Sequence, residues 1–317
     1  VTSISQLEQH SRCPLAHWLR YGLRVQKPTQ YQLEMMDFGT IIHHGLKEVL
    51  LEIEQRGDSV GGEEVRQIVD RVLERILTNI KGGILHSDGR HRQLQSRLRT
   101  RLIDAVDILL TEMRRSQFKP LALELEFGFH RSIPALQLDL GAGECAYLRG
   151  KIDRVDVAEI PGIDAKMVRV WDYKLGSRRL DLMDIADGLA LQLLGYLLLL
   201  VEHGLDGKPL LPGAVQYFRV ADGFLPSDSG PVSEDKRAKE WEKQYQLSGL
   251  FAADTRVLMA LDSQLTEGGL YPLRLKKDGQ VYSQDETKVV DLSQWPLLLG
   301  QIRGHMVNLV RDILAGN

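Results

Sequence analysis

Two short segments of this 317-residue chain carry side chains that could act together on a phosphate ester. The segment Gly150–Asp156 holds Asp153 within an alternating apolar run, and Asp172 and Lys174 follow the apolar run 167–171. Alternation with a period of two is typical of β-strands, and the stretch between the two runs is rich in turn-forming residues. The sequence therefore predicts two neighbouring strands that each present a carboxylate, the second with a lysine two residues later.

These residue types suit the metal-dependent hydrolysis of a phosphodiester. Residues i and i+2 of a strand share one face, so Asp172 and Lys174 project together. Carboxylates are preferred ligands of Mg²⁺, and a bound cation activates water and neutralises the charge that develops on the phosphate. A lysine here would stabilise that charge or orient the water. Asp156 competes with Asp153 as a ligand, but alternation places these two residues on opposite faces, so at most one of them faces the metal.

Two helical segments add side chains to this set. Gln192 and Tyr196 lie at positions i and i+4 of a long apolar helical run, and therefore on one helix face. His43 follows Gly39 in another helical pattern, with His44 directly after it. Because imidazole is a frequent metal ligand, His43 is a candidate ligand. We interpret His44 as a packed or surface residue.

Taken in order, the motifs Gly-x-x-x-His, Gly-x-Ile-Asp, Asp-x-Lys and Gln-x-x-x-Tyr resemble those of the RecB-like branch of the PD-(D/E)xK nucleases. The segments Ser3–Leu23, Glu126–Gly128 and Gly188–Tyr196 are more narrowly similar to the nuclease domains of the AddB family, which belong to bacterial AddAB helicase–deoxyribonucleases. The resemblance implies a mixed α/β fold with a restriction-endonuclease-like core, in which helices flank a central mixed β-sheet. It also implies a DNA exonuclease that acts during double-strand-break repair.

The resemblance assigns a role to each motif. Metal binding falls on His43, Asp153 and Asp172, and the metal would be Mg²⁺ or Mn²⁺. Lys174 would assist the attacking water, and the Gln192–Tyr196 motif would support the site. The implied partners are a DNA strand released from unwound duplex and an AddA-type helicase–nuclease protein, in the cytoplasm of a bacterium.

AddB nuclease domains also carry a [4Fe–4S] cluster on four cysteines, one near the start of the domain and three at its end. Cys13 matches the first position, and the only other cysteine of the chain is Cys145. We therefore expect this chain to be a fragment of a larger protein. In that larger protein Cys13 would be a cluster ligand, and in this fragment we expect no iron–sulfur cluster.

Composition narrows the function classes. Apolar residues make up 43% of the chain, enough for a sizeable core, and the net charge of −3 excludes a generally basic nucleic-acid binder. Contact with DNA must therefore come from a local patch and from metal. The longest apolar run, 189–201, is shorter than the ~20 residues that span a membrane. The sequence also contains no Gly-x-x-x-x-Gly-Lys-Ser/Thr motif for a nucleotide phosphate.

Hydrophobic periodicity changes from helical to strand-like after residue 118. We therefore divide the single nuclease domain into a helical part, 1–118, which includes the His motif, and a nuclease core with C-terminal helices, 119–317. Helices are predicted at 5–23, where Ser5 and Glu8 are spaced as a capping box, and at 33–55, 62–80, 90–117, 185–203, 236–261 and 293–314. Strands are predicted at 121–127, 136–140, 147–157, 168–173 and 214–220, and residues 266–291 are expected to be irregular.

Several alternatives stay open. A non-catalytic DNA-binding or scaffolding module is one, although the intact motifs argue against it. A Cas4-type exonuclease is another, although the long helical segment between His43 and Asp153 fits AddB better. Glu126 is an additional acidic candidate upstream of the paired motifs, on the same predicted strand face as Glu124. The basic run from Arg90 to Arg101 is either a solvated helix face or a surface that contacts DNA phosphates.

Overall fold

The structure is a computed structural model that describes residues 1–25, 35–57, 60–79, 89–175, 180–205, 207–220, 245, 247–267 and 269–316. Helices dominate its first part and a mixed β-sheet its second part. The mixed α/β fold that the sequence predicts is therefore confirmed. The division of the chain at residue 118 stays a prediction.

The described helices follow the apolar periodicities of the sequence. The N-terminal segment forms two short helices and a π-helical turn at Trp18–Gly22, and longer helices follow. In chain order the helices are α1 (Ile4–Arg12), α2 (Pro14–His17), α3 (Met35–Arg56), α4 (Gly62–Asn79), α5 (Gly89–Arg115), α6 (Leu182–Ala186), α7 (Gln192–His203), α8 (Thr255–Leu261) and α9 (Trp295–Ala315). No helix in the described ranges combines the length and the hydropathy that crossing a bilayer requires.

The strands form a six-stranded sheet and a separate hairpin. In chain order the strands are β1 (Lys119–Phe127), β2 (Leu136–Gly141), β3 (Glu144–Leu148), β4 (Gly150–Ala158), β5 (Lys166–Leu175), β6 (Leu210–Val220), β7 (Ser248–Ala252) and β8 (Val289–Val290). The sheet order is β1-β4-β5-β6-β7-β8, and β2 pairs with β3. The β4–β5 pair is antiparallel and the β5–β6 pair is parallel, so the sheet is mixed as expected.

Strand β5 lies inside the sheet and is buried on both faces, which explains its nearly continuous apolar sequence. Trp171 belongs to a core that the sheet shares with α3, α4 and α5. Val168 and Val170 face a second core that contains residues of α1, α7 and α9. Asp172 and Lys174 continue the alternation of Val168 and Val170, so β5 carries both side chains to the end of the sheet on its α7 face.

Two helix predictions differ from the structure near the N-terminus and before α7. The capping box of Ser5 and Glu8 is wrong, because Ser3 is the N-cap and its Oγ accepts a hydrogen bond from the Gln6 backbone N–H. The first helix ends at Arg12, directly before Cys13 and Pro14. The predicted helix 185–203 is two helices, α6 and α7, because the chain turns at Gly188 with φ +71°.

Three further predictions need correction. The predicted strand 147–157 is interrupted at Arg149, between β3 and β4. The predicted helix 236–261 instead contains strand β7, since a short apolar run has the same appearance in a buried strand and in a helix. Only α8 agrees with that prediction, and residues 236–244 and 246 lie outside the described residues. The last helix begins at Trp295, so Ser293 does not cap it.

Candidate active site

The candidate site lies where β4 and β5 stop pairing. The last paired residues in the register are Arg154 and Trp171, and the next positions along the two strands are Asp153 and Asp172. Beyond this point a side chain replaces the backbone ladder, because Asp153 Oδ2 accepts a hydrogen bond from the Tyr173 backbone N–H at 2.7 Å. The two carboxylates of the sequence motifs therefore sit side by side at the opening between the strands.

His43 reaches the same point from α3. Its Nε2 is 2.8 Å from the Tyr173 carbonyl oxygen, and its ring packs edge-on against the Tyr173 ring. A carbonyl oxygen can only accept a hydrogen bond, so Nε2 carries the proton in the neutral imidazole. The lone pair then lies on Nδ1, which is 3.4 Å from Asp153 Oδ1. Nδ1 is therefore the atom of His43 that can act as a ligand.

Charges at the site are concentrated and buried. Burial, together with the neighbouring charge of Asp153 and against the opposing effect of Lys174, raises the pKa of Asp172 to about 6. Burial alone would lower the pKa of His43, but its hydrogen bond to Asp153 and the charges of Asp153 and Asp172 outweigh burial, so that pKa is raised. Two carboxylates that resist full ionisation together form a site whose charge a cation would balance.

Lys174 is held between two groups. Its Nζ lies 2.6 Å from Asp172 Oδ2 and donates a hydrogen bond to Gln192 Oε1 at 3.1 Å. The amide of Gln192 is oriented by a second contact, because its Nε2 donates to the Tyr196 hydroxyl at 2.9 Å. Tyr196 in turn packs edge-on against Phe127. The expected pairing of Gln192 and Tyr196 on one helix face thus exists, and it is directed at the lysine.

Glu126, the additional acidic candidate, is not part of this group. Its carboxylate is exposed and pairs with Arg131 at 2.9 Å. The residue next to the site is Glu124, which lies opposite Asp153, between the register pairs Leu123–Arg154 and Leu125–Ile152. Sequence reasoning treated the two glutamates as equivalent residues on one strand face, and the structure separates them.

The separation has a local cause. Glu124 has φ +52°, a value that L-residues rarely adopt in a strand, and Leu123 and Leu125 on either side of it pack into different cores. The strand therefore changes face at Glu124. The Glu124 carboxylate contacts Lys47 at 2.8 Å and Lys151 at 3.0 Å. Burial alone would raise the pKa of Glu124, but these two lysines lower it overall.

Asp156 faces away from the site, as alternation predicts. It is fully buried and accepts hydrogen bonds from Arg154, Arg169 and the indole N–H of Trp171, at 2.6, 2.5 and 2.8 Å. Both guanidinium groups also lie 4.8 Å from the Trp171 ring. Burial alone would raise the pKa of Asp156, but the charges of the two arginines lower it overall. This buried ion cluster joins β4 to β5 directly behind the site.

The remaining candidates lie elsewhere. His44 is exposed beside His43. In the basic run, Arg99 forms a two-point ion pair with Asp70 of α4, which ties α5 to α4. Cys13 lies between α1 and α2, and Cys145 is exposed on β3. Among the described residues, no group of three or more His, Cys, Asp or Glu side chains is already drawn together as a metal-binding cluster.

The donor set nevertheless fits a hard divalent cation in type and in charge. Two carboxylates and one imidazole, those of Asp153, Asp172 and His43, face one opening between strands. Oxygen-rich sets of this size suit Mg²⁺, which keeps several of its water ligands. Both Asp153 and His43 have one polar atom fixed by the Tyr173 backbone and a second atom directed at the opening. The residues present therefore fit the group that the motifs imply.

Comparison with known proteins agrees with this geometry. The family model of the PD-(D/E)XK nuclease superfamily matches residues 1–297. The chain is 31% identical to the AddB component of the ATP-dependent helicase/deoxyribonuclease of Clostridium perfringens, 34% to that of Caldanaerobacter subterraneus subsp. tengcongensis and 33% to that of Desulforamulus reducens. Each alignment covers 99% of this chain and 27% of the relative, so the chain spans about 27% of the length of these proteins. On the match to the superfamily model over nearly its whole length, this chain belongs to the PD-(D/E)XK nuclease superfamily.

Proposed function

We propose that this chain is a Mg²⁺- or Mn²⁺-dependent DNA exonuclease domain. The observation that carries the proposal is the convergence of Asp153, Asp172 and Lys174 at the point where β4 and β5 separate. His43 completes the set from α3. The reaction would be hydrolysis, in which a water oxygen bonds to phosphorus as the bond to the leaving oxygen of the strand breaks.

Each residue has a distinct task in this proposal. A divalent cation, when bound by His43, Asp153 and Asp172, would supply an activated water and would polarise the phosphate. Tyr173 fixes the other two motifs with its backbone, since its N–H holds Asp153 and its carbonyl holds the His43 tautomer with Nδ1 unprotonated. Both donor atoms therefore need little rearrangement to bind a cation.

Lys174 is the cation that the protein itself supplies. Its ammonium group, held by Asp172 and Gln192, would orient the attacking water or offset the negative charge that develops on the phosphate. Tyr196 orients the amide of Gln192, so that its oxygen rather than its nitrogen points towards Lys174. Gln192 and Tyr196 thus act on the chemistry through the lysine.

The biological setting of the proposal comes from the relatives, which are named as components of ATP-dependent helicase/deoxyribonucleases. We propose that the domain works in the bacterial cytoplasm beside an AddA-type helicase–nuclease protein, on a single DNA strand from unwound duplex, during double-strand-break repair. In the full-length protein Cys13 would be one ligand of a [4Fe–4S] cluster.

Single-turnover degradation of 5′- and 3′-labelled single-stranded DNA tests the proposal. The complete gene product, with its helicase partner, should degrade DNA in Mg²⁺ and stop when the metal is chelated. Asp172→Asn should abolish degradation, whereas Asp164→Asn, at an exposed position of the β4–β5 turn, should not. If Asp172→Asn binds and degrades DNA like the wild type, the nuclease site is not here, and the scaffolding alternative becomes the better account.

A further inference from the structure

Glu8 joins the N-terminal helix to the residue that holds the candidate catalytic lysine. Its carboxylate Oε1 accepts a hydrogen bond at 2.9 Å from the backbone N–H of Gln192, the first residue of α7. Glu8 is only 6% exposed, although it carries a charged group. A buried carboxylate needs polar partners, and this backbone N–H, on a helix far away in the sequence, is one of them.

The start of α7 lacks a cap of its own. Its N-cap residue is Leu191, whose side chain makes no capping hydrogen bond. The first N–H groups of a helix have no partner within the helix, and negative charge is favourable at this end. Glu8 supplies both an acceptor and a negative charge from α1. It therefore fixes where α7 begins, and with it the position of Gln192.

Two other contacts hold α1 against the same region. A Cβ atom at Gly195 would lie 2.6 Å from Ile4 Cδ1, so the two helices approach as closely as glycine allows. Ser11 Oγ donates to the Asp187 carbonyl oxygen at 2.6 Å, in the turn between α6 and α7. The start of α7 is thus held by α1 through several contacts, and the contact at Glu8 is the one that reaches Gln192.

Gln192 passes this position on to the lysine. Its backbone N–H is fixed by Glu8, its side-chain oxygen accepts from Lys174 Nζ at 3.1 Å, and Lys174 lies 2.6 Å from Asp172. We propose that Glu8 is a positioning residue of the nuclease, which holds Gln192 and thereby places the Lys174 ammonium group at the reacting phosphate. This inference rests on the proposed function, because it needs Lys174 to act in catalysis.

A cap that only stabilises the fold would behave differently from a positioning residue. Loss of stability alone would lower the melting temperature and would slow every variant by the same factor. Loss of position would slow the chemical step in the folded protein, and only while Lys174 is present. A displacement of about 1 Å at a reacting group can slow a reaction by roughly a hundredfold.

The test is a double-mutant cycle on single-turnover cleavage of single-stranded DNA in Mg²⁺, in the complete gene product. Glu8→Ala should lower the cleavage rate by about tenfold or more with little change in the DNA concentration for half-maximal rate. Glu8→Gln keeps an oxygen acceptor and should retain most of the rate. In a Lys174→Ala background, Glu8→Ala should change the remaining rate by less than about twofold, because coupled residues are not additive.

Asp254→Ala is the matched control, since Asp254 caps α8 by accepting from the Arg256 N–H and lies far from Gln192 in the fold. It should lower the melting temperature about as much as Glu8→Ala while the cleavage rate stays unchanged. Equal slowing by Glu8→Ala in the wild-type and Lys174→Ala backgrounds would overturn the inference. So would a wild-type rate in Glu8→Ala.

A readout independent of cleavage separates this inference from the proposed function. The rate at which Lys174 is acetylated by acetic anhydride, followed by peptide mass spectrometry, should change at least twofold in Glu8→Ala, with Lys166 as an internal reference on the same strand. An unchanged rate would overturn the inference even if the protein cleaves no DNA. A changed rate in a protein whose Lys174→Ala variant cleaves normally would reject the catalytic role of Lys174 instead.

Discussion

The carboxylate of Asp153 accepts a hydrogen bond from the backbone N–H of Tyr173, the residue that separates Asp172 from Lys174. The contact connects two motifs that lie on different strands, at the point where the strands cease to pair. The carbonyl group of the same residue, Tyr173, contacts His43. One residue without a catalytic side chain thus sets the relative position of three motif residues through its backbone.

His43 and His44 form a natural pair for a test of metal binding. His43→Ala should weaken Mn²⁺ binding by more than about tenfold, because loss of even an outer-shell partner costs that much at metal sites. His44→Ala is the control, since this neighbouring residue is exposed to solvent. Isothermal titration calorimetry of both variants checks the prediction. Equal affinity in the two variants would remove His43 from the ligand set.

Metal affinity should fall in mildly acidic solution. Burial and the charge of Asp153 raise the pKa of Asp172 to about 6, and a carboxylate must be deprotonated to bind a metal. Affinity for Mn²⁺ should therefore be high above pH 7 and should decrease as the pH falls through 6. Titrations between pH 5 and 8 measure this directly. Affinity that is constant over this range would contradict the buried, paired state of Asp172.

Strand and helix patterns in the sequence were sufficient for most of the site. Asp153, Asp172 and Lys174 come from regular strands, and Gln192 and Tyr196 from a regular helix, so periodicity predicts which side chains share a face. Glu124 could not be found in this way, because its positive φ breaks the alternation on which the prediction depends. Glu8 fits a local capping box by its spacing, but its hydrogen bond goes to a distant helix. No local pattern contains such a contact.

Glu124 and Glu126 provide the next prediction. Glu124→Gln should weaken Mn²⁺ binding several-fold and slow cleavage, because it removes a negative charge opposite Asp153 and releases Lys47 and Lys151. Glu126→Gln serves as the control, since Glu126 pairs with Arg131 at the surface. Calorimetry and single-turnover cleavage of the two variants decide the matter. The prediction fails if both glutamine variants behave alike.

The buried cluster behind the site should matter for stability. Asp156→Asn leaves Arg154 and Arg169 without a full counter-charge in the core and should lower the free energy of unfolding by about 3–5 kcal/mol. Asp164→Asn, at the surface of the β4–β5 turn, should change it by less than about 0.5 kcal/mol. Urea denaturation measures both. A small effect of Asp156→Asn would mean that the cluster adds little to the stability of the fold.

Acid should reveal the same cluster through its pH dependence. The pKa of Asp156 is lower in the folded protein than its ordinary value of 3.8, because the two arginines outweigh burial. Its contribution to stability is therefore fully present above the ordinary pKa and is lost as the pH falls below it towards the folded pKa. In Asp156→Asn the free energy of unfolding should change less steeply with pH below 4. Urea denaturation at pH 5, 4 and 3 provides the comparison.

The measurement that tests the catalytic proposal most directly is the effect of Lys174→Ala on cleavage and on metal binding together. Lys174 is not a metal ligand in this account, so Mn²⁺ affinity by calorimetry and DNA affinity should stay close to wild type. Single-turnover cleavage of single-stranded DNA in Mg²⁺ should fall by roughly two or more orders of magnitude, the range for loss of one electrostatic stabiliser. Lys166→Ala, at the other end of β5, should cleave normally. Wild-type cleavage by Lys174→Ala in the complete helicase–nuclease would contradict the assigned chemistry.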